Sequence, residues 1–462
     1  MRAGLPVQAE TEEVNTPLTA ESAEKRPGEL QRILRGRDGL AVTVGIVIGA
    51  GILRTPGLIA GYLGNPLTIL GVWFVGGVVV TLSTLVLAEM AAALPEAGGK
   101  YVYAREAYGP HVGFVTGWSE LLVTRAFSGA AKAVVIAEYV VLLTGRGSVP
   151  LLAATVVVGF YFLHAGGLRV GRGFQNLSTL AKVLLLLAMG VAGILGGDGR
   201  GFITTMEVAP EFAGLLGFAL AYQAVAFAYY GWEDAAKMAE ETTDPGRNLP
   251  RILIGGAATV AGLYLLINIA FLSALTPQEM SGSTLVAADA LRGTLGTAAG
   301  TAITLASLVI LLSSLNVNFL GMPRVALGLA RYGLAPSAFT RVGKNGTPGP
   351  ALAFVTAAIL GLAVTGAFEF LIRFMMTVAI TVDLVVLSGI FRLRQIRPEL
   401  VRPLRVPLYP WLPAVTLALH FTVLAVIVFT QPMLALGAAA MLGFIWISGW
   451  FVVRNNQRAE LG

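Results

Sequence analysis

Cysteine is absent from the 462-residue chain, and histidine occurs only at His111, His164 and His420. The first absence excludes disulfides, thiolate metal sites and a cysteine nucleophile. The three scattered histidines make no metal constellation, so neither a metal nor a cofactor is expected. HExxH, GxSxG and Walker A sequences are missing, as are paired carboxylates at useful spacing, so enzyme chemistry is not expected. Charge is also scarce, at 13% of residues against roughly 25% in soluble proteins. No apolar run opens the chain. Its first 37 residues are polar, with six Glu against six Lys or Arg, so they read as a disordered cytosolic tail without a signal peptide.

What is abundant is apolar surface. Hydrophobic residues make up 56% of the chain, and mean hydropathy is +0.76. No soluble core of this size could hide that much. A spanning helix needs about 20 apolar residues, and the sequence offers twelve such stretches, at 38–61, 67–94, 111–144, 149–167, 174–197, 212–236, 250–275, 296–323, 349–366, 368–391, 411–430 and 433–453. The expected class is therefore an all-α, multi-pass membrane protein whose partner is lipid. The basic pI of 9.6 reflects topology rather than nucleic-acid binding. Sixteen Lys and Arg fall in the loops after spans 2, 4, 6, 8 and 10, against Arg146, Arg200 and Arg292 in the opposite loops. The positive-inside rule then places both termini, including a short tail at 454–462, in the cytoplasm.

Span 1 carries Gly49, Ala50 and Gly51 at its centre, then Pro56 and Gly57. Taken alone, these admit either close helix packing or an unwound segment whose freed backbone faces a ligand. Span 6 places Tyr229, Tyr230, Gly231 and Trp232 at a comparable depth, followed by Glu233 and Asp234. Five spans apart, the two enter the membrane in opposite directions. Paired interruptions of this kind point to a transporter binding site, where half-helix N-termini attract a carboxylate and exposed carbonyls accept an ammonium. A zwitterionic amino acid meets both demands. The aromatic cluster also admits an interfacial-belt reading.

The motifs VGIVIGAGI in span 1, EMAAALPEAGGKYVYAREAYG after span 2, WSELLVTR in span 3, FQNLSTLAK at span 5, FAYYGW and EETTDPGRNLPRI at span 6, and PLRVPLYPWLP before span 11 follow in that order. Together they make residues 35–455 resemble the amino acid–polyamine–organocation superfamily, and within it the L-type light chains and their bacterial relatives. The resemblance implies a LeuT-type fold. It comprises two inverted five-helix repeats (38–197 and 212–391), with spans 11 and 12 at 411–453. It implies backbone contacts to a substrate carboxylate from Ile48, Gly49, Ala50 and Gly51. Phe227 would offer its carbonyl to the amino group and its ring as an outer gate. Ala228 and Tyr230 would line the side-chain pocket, Trp232 would pack beside it, and Ser128 would face it near Arg125 and Glu120.

Two departures from the light chains stand out. They have glycine where this chain has Tyr230, which implies a smaller or more polar pocket. They also join a heavy chain through a cysteine, which this chain lacks, so no disulfide-linked partner can form. Lys182 lies about 12 Å into span 5 at 1.5 Å per residue. By position alone it could snorkel to water. The resemblance implies instead a fixed ammonium in place of a sodium ion, bridging span 1 carbonyls to Ser313 and Ser314 of span 8. The expected function is sodium-independent transport of small neutral L-amino acids across the cell's inner membrane by alternating access, as exchanger or proton symporter. Amines or polyamines are the runner-up substrates. Among the remaining charges, Arg54 is expected to face the outer vestibule, pair across an outer gate, or serve packing only. Lys132 and Glu138 are expected to be solvated. Glu233 and Asp234 could face the cytoplasmic pathway or cap the second half of span 6, the cap being favoured as the cheaper reading, and Asp383 has no evident partner.

Overall fold

The computed structural model describes residues 36–96, 98–166, 172–343 and 346–461, so residues 1–35 of the expected tail lie outside it. Among the described residues there is no β-strand. The principal helices are α1 (Gly36–Val47), α2 (Ala50–Leu63), α3 (Pro66–Ala93), α4 (Lys100–Tyr108) and α5 (Pro110–Thr144). They continue as α6 (Val149–Ala165), α7 (Arg172–Gly196), α8 (Leu215–Tyr229), α9 (Pro245–Ala274), α10 (Val286–Leu295) and α11 (Thr297–Arg331). The last four are α12 (Gly349–Ala363), α13 (Phe368–Ile396), α14 (Trp411–Thr430) and α15 (Pro432–Leu461).

Seven of these helices are long and apolar enough to cross a membrane, and the bent pair α1–α2 makes an eighth. Helices α6, α12 and the Leu180–Gly196 part of α7 are apolar but shorter. Several expected boundaries shift. Helix α11 runs to Arg331 through Pro323, and α15 runs to Leu461 through most of the supposed C-terminal tail. Span 6 does not stay helical to 236, because α8 ends at Tyr229.

Termini are set by local chemistry. The Asn65 side chain accepts from the Leu67 amide at 2.9 Å at the start of α3, beside Pro66, which needs no amide partner at that position. Inside the bundle, hydroxyls such as Thr55 and Ser83 bond back to carbonyls four residues earlier. That satisfies polar groups where water is scarce.

The core that positions the site lies where α1–α2 crosses α3, α8 and α9. Trp73, Tyr229 and Tyr264 pack there as an aromatic trio with centroids 5.2–5.9 Å apart. The α2–α8 crossing is tight. A Cβ on Gly51 would sit 2.2 Å from the Ala228 Cα, so only glycine lets the two backbones approach this closely. Gly51→Ala is expected to destabilise the protein by about 1–3 kcal/mol through overpacking. A lower melting temperature of the purified protein in detergent would register it, and an unchanged value would show that the crossing tolerates a methyl group.

Candidate substrate site

The first break is short. Helix α1 stops at Val47, and α2 starts at Ala50 after Gly49, whose φ of −161° and ψ of −144° leave the helical region. Carbonyls freed at the end of α1 find partners on other helices. The Val47 carbonyl accepts from the Tyr264 hydroxyl at 3.0 Å, and the Gly45 carbonyl accepts from Lys182 Nζ at 3.0 Å. Beyond the break, the Leu53 carbonyl accepts from Tyr139. The amides opening α2 receive no side-chain cap, which leaves a partial positive charge facing the cavity.

The second break follows Tyr229. Tyr230 is extended, and Gly231 has φ +106°, a conformation that favours glycine. A 3₁₀ segment, Asp234–Glu241, follows in place of a regular half-helix. Glu233 and Asp234 therefore do not cap a helix. Glu233 pairs with Lys100 at 3.2 Å, and Asp234 pairs with Arg125. Ion pairing wins because buried guanidinium and ammonium groups require a counter-charge more than a short 3₁₀ turn requires a cap.

Between the breaks lies a small cavity, about 20 Å³ when measured by the room open to the centre of a water molecule. That holds one or two waters. Of the residues singled out from sequence, Gly49, Ala50, Gly51, Arg125, Ser128, Phe227, Tyr230 and Ser314 line it. Ile48, Ala228, Trp232, Lys182 and Ser313 do not. Ile48 is fully buried, and Ala228 packs on Gly51. Trp232 instead stacks near Lys100, whose Nζ lies 5.2 Å from its ring centroid. Lys182 is 1% exposed and reaches the first break through the Gly45 carbonyl. Ser313 is buried. The Ser314 hydroxyl is buried without a hydrogen-bond partner.

Sequence reasoning missed Lys132 and Asn318, which also line the cavity. Lys132 is not solvated at an outer end. Its Nζ donates to Asn318 Oδ1 at 3.0 Å and to the Ser314 carbonyl at 3.4 Å. The signal was available, since Arg125, Ser128 and Lys132 are spaced three and then four residues apart and share one helix face.

Charged pairs flank the cavity on both sides along α5. Beyond it, Glu138 accepts from Arg54 at 2.9 Å. The Arg54 guanidinium lies 5.6 Å from the Phe368 ring, against which the Phe227 ring packs edge-on. Glu138 is thus paired rather than solvated, and Arg54 pairs rather than standing free. Before the cavity, Arg125 bonds Glu120 at 3.3 Å and also Asp234, while Lys237 pairs with both carboxylates. The five-residue spacing of Glu120 and Arg125 is off register for an α-helix. Residues 120–125 form a π turn, which admits an extra residue per turn and brings the two together.

A second layer there joins Lys100 to Asp383 at 2.6 Å and to Glu233, so Asp383 does have a partner. The Tyr230 ring, 5.3 Å from Lys100 Nζ, lines both the main cavity and a smaller one beside Asp383.

An all-helical bundle with a polar cavity at the crossing of two broken helices is the architecture of a membrane carrier. A model of the amino acid permease family matches residues 38–453, and the chain belongs to that family, whose members are permeases rather than enzymes. The chain is similar to the serine/threonine exchanger SteT of Bacillus subtilis (strain 168), at 27% identity over 427 residues, covering 90% of this chain and 96% of the relative. It is 27% identical over 413 residues to the mouse b(0,+)-type amino acid transporter 1 (Mus musculus), covering 84% and 81% of the two chains. It is 28% identical over 386 residues to large neutral amino acids transporter small subunit 2 of Rattus norvegicus, covering 79% and 71%.

The Lys100–Asp383 pair has side chains only 5% and 7% exposed. Lys100→Ala strands a buried carboxylate and is expected to cost about 3–5 kcal/mol. Thermal melts of Lys100→Ala and of the double variant with Asp383→Ala check this, the double being the more stable if the pair is as tightly coupled as its geometry says.

Proposed function

We propose that the protein carries small L-amino acids across the cell's inner membrane by alternating access, without sodium. The observation that carries this is the meeting of two helix breaks at one enclosed polar cavity. The uncapped amides of α2 suit a carboxylate, and the carbonyl end of α8 at Phe227 suits an ammonium. In this reading the chain has twelve spans, two inverted repeats plus two helices, with both termini cytoplasmic. Gly49, Ala50 and Gly51 serve the carboxylate, Phe227 gates the outer side, Ser128 lines the rest of the pocket, and Ile48, Ala228 and Trp232 pack behind it. Several relatives are amino acid exchangers or transporters by name, which supports the substrate class and favours exchange over proton symport.

Cationic amines and polyamines fit less well. The cavity wall holds Arg125 and Lys132 and no carboxylate, so it repels a cation. Size selection falls to Tyr230, whose ring fills space at the second break. Tyr230→Gly is expected to admit larger side chains. Leucine or phenylalanine counterflow should rise relative to serine by about tenfold, within the range that pocket volume controls. An unchanged ratio would remove Tyr230 from the pocket.

Sodium independence rests on Lys182. Its ammonium on the Gly45 carbonyl supplies beside the first break the positive charge that a bound ion would otherwise supply. Ser313 and Ser314 on α11 complete that neighbourhood in this reading. Uptake of radiolabelled amino acid into proteoliposomes is expected to be equal with and without a sodium gradient, and Lys182→Ala is expected to lose most of it. Strict sodium dependence would sink the proposal.

A further inference from the structure

The buried cations near the breaks mostly have counter-charges. Lys100 has Asp383 and Glu233, Arg125 has Glu120 and Asp234, and Lys237 has Glu120 and Asp234. Among the described residues Lys182 has none, but it is sealed away from the cavity at 1% exposure. Lys132 differs from all of these. It lines the cavity, and among the described residues it pairs with no carboxylate. Its partners are two neutral oxygens, Asn318 Oδ1 at 3.0 Å and the Ser314 carbonyl at a long 3.4 Å. An ammonium carries three N–H donors, so at least one is left for whatever occupies the cavity. An uncompensated ammonium away from bulk water is unfavourable, and a carboxylate brought beside it is correspondingly held.

We propose that Lys132 is the counter-charge for an acidic substrate side chain, so that the transporter selects aspartate- or glutamate-like L-amino acids over neutral ones of the same size. The inference rests on the amino-acid reading above and narrows it. The two charges of the amino-acid backbone are already served by main-chain groups, the amides of α2 and the carbonyl end of α8. A third polar contact is therefore available to the side chain. Lys132 stands on the same face of α5 as Ser128, one turn further along, and opposite the α11 residues Ser314 and Asn318 that complete the wall. The other cation on the wall, Arg125, is already satisfied by Glu120 and Asp234 and has less to offer an incoming anion. Asn318 holds Lys132 in place while donating through Nδ2 to the Arg125 carbonyl. The ammonium is thus positioned by a group that is itself anchored across the α5–α11 contact.

The discriminating comparison is aspartate against asparagine, which match in shape and differ in charge. Proteoliposomes containing the wild-type chain, Lys132→Gln or Lys132→Arg would be assayed for uptake and counterflow of both radiolabelled amino acids, with serine alongside. Wild type is expected to favour aspartate. Lys132→Gln is expected to lower the aspartate-to-asparagine ratio of kcat/KM about tenfold or more, and Lys132→Arg to keep the ratio within about threefold of wild type. The ratio is read within each variant, so a partial loss of folded protein cancels. Transport of asparagine or serine with little aspartate by wild type would overturn the inference and leave the amino-acid reading standing. So would an aspartate-to-asparagine ratio that Lys132→Gln does not move. Uptake of no amino acid by wild type would overturn both.

Discussion

The structure turns on the backbone groups that a broken helix sets free inside an apolar bundle. A continuous span satisfies its own amides and carbonyls, whereas a break at Ile48 and Gly49 cannot, and in lipid each unpaired group is unfavourable by several kcal/mol. The chain resolves this asymmetrically. On the carbonyl side, Tyr264 from α9 and Lys182 from α7 reach across to Val47 and Gly45, which ties α1 to two other helices. The amide side, at the start of α2, is left uncapped. One end of the break is thus a structural joint, and the other keeps the partial positive charge that the proposed carboxylate contact would use. The aromatic trio of Trp73, Tyr229 and Tyr264 holds the joint by packing the end of α8 against the same helices, so both breaks are registered to one rigid centre.

Charge follows from the same constraint. Carboxylates and cations at this depth persist only when paired, and the sequence supplies them in matched sets around α5. The π turn at Glu120–Arg125 is the device that lets one helix present both signs to α8's continuation. It puts Glu120 toward Lys237 and Arg125 toward Asp234. Lys100 and Asp383 then form a separate layer beneath Tyr230. Against this matched background, Lys132 is the charge on the cavity wall without an opposite among the described residues.

The bundle and its two interruptions were legible in the sequence because both depend on composition over long stretches. Apolar runs, mid-span glycines and loop charges are all period-independent signals. Motif order also singled out Gly49, Gly51, Ser128, Phe227 and Tyr230, which border one cavity, but their role toward a substrate belongs to the proposal. Partner identity was not legible. Asp383 finds Lys100 across 283 residues of chain, and nothing in the local pattern of either announces it. Glu233 and Asp234 were misread as caps because a sequence shows which residues precede a helix but not which cations arrive from elsewhere. Lys132 was misread because distance along α5 suggested an outer end, while its spacing from Arg125 and Ser128 placed it on the inward face. The π turn lay hidden in a five-residue spacing that an α-helical template rejects.

The ion pairs on the two sides of the cavity differ in a way that bears on alternating access. Beyond the cavity stand Arg54–Glu138, with side chains 16% and 19% exposed, and Arg373–Glu369, at 26% and 43%, the first backed by the Phe227–Phe368 contact. Before it stand two layers whose members are mostly under 10% exposed and share partners. Partly hydrated pairs separate cheaply, because water replaces each partner as it leaves. A shared, buried network resists until several contacts break together, since each intermediate strands a charge. In the alternating-access reading and orientation proposed above, the outer side would therefore open first and with the smaller penalty. Opening toward the cytoplasm would be the concerted step, and substrate charge arriving at Lys132 and Arg125 would be placed to rebalance the network that has to let go.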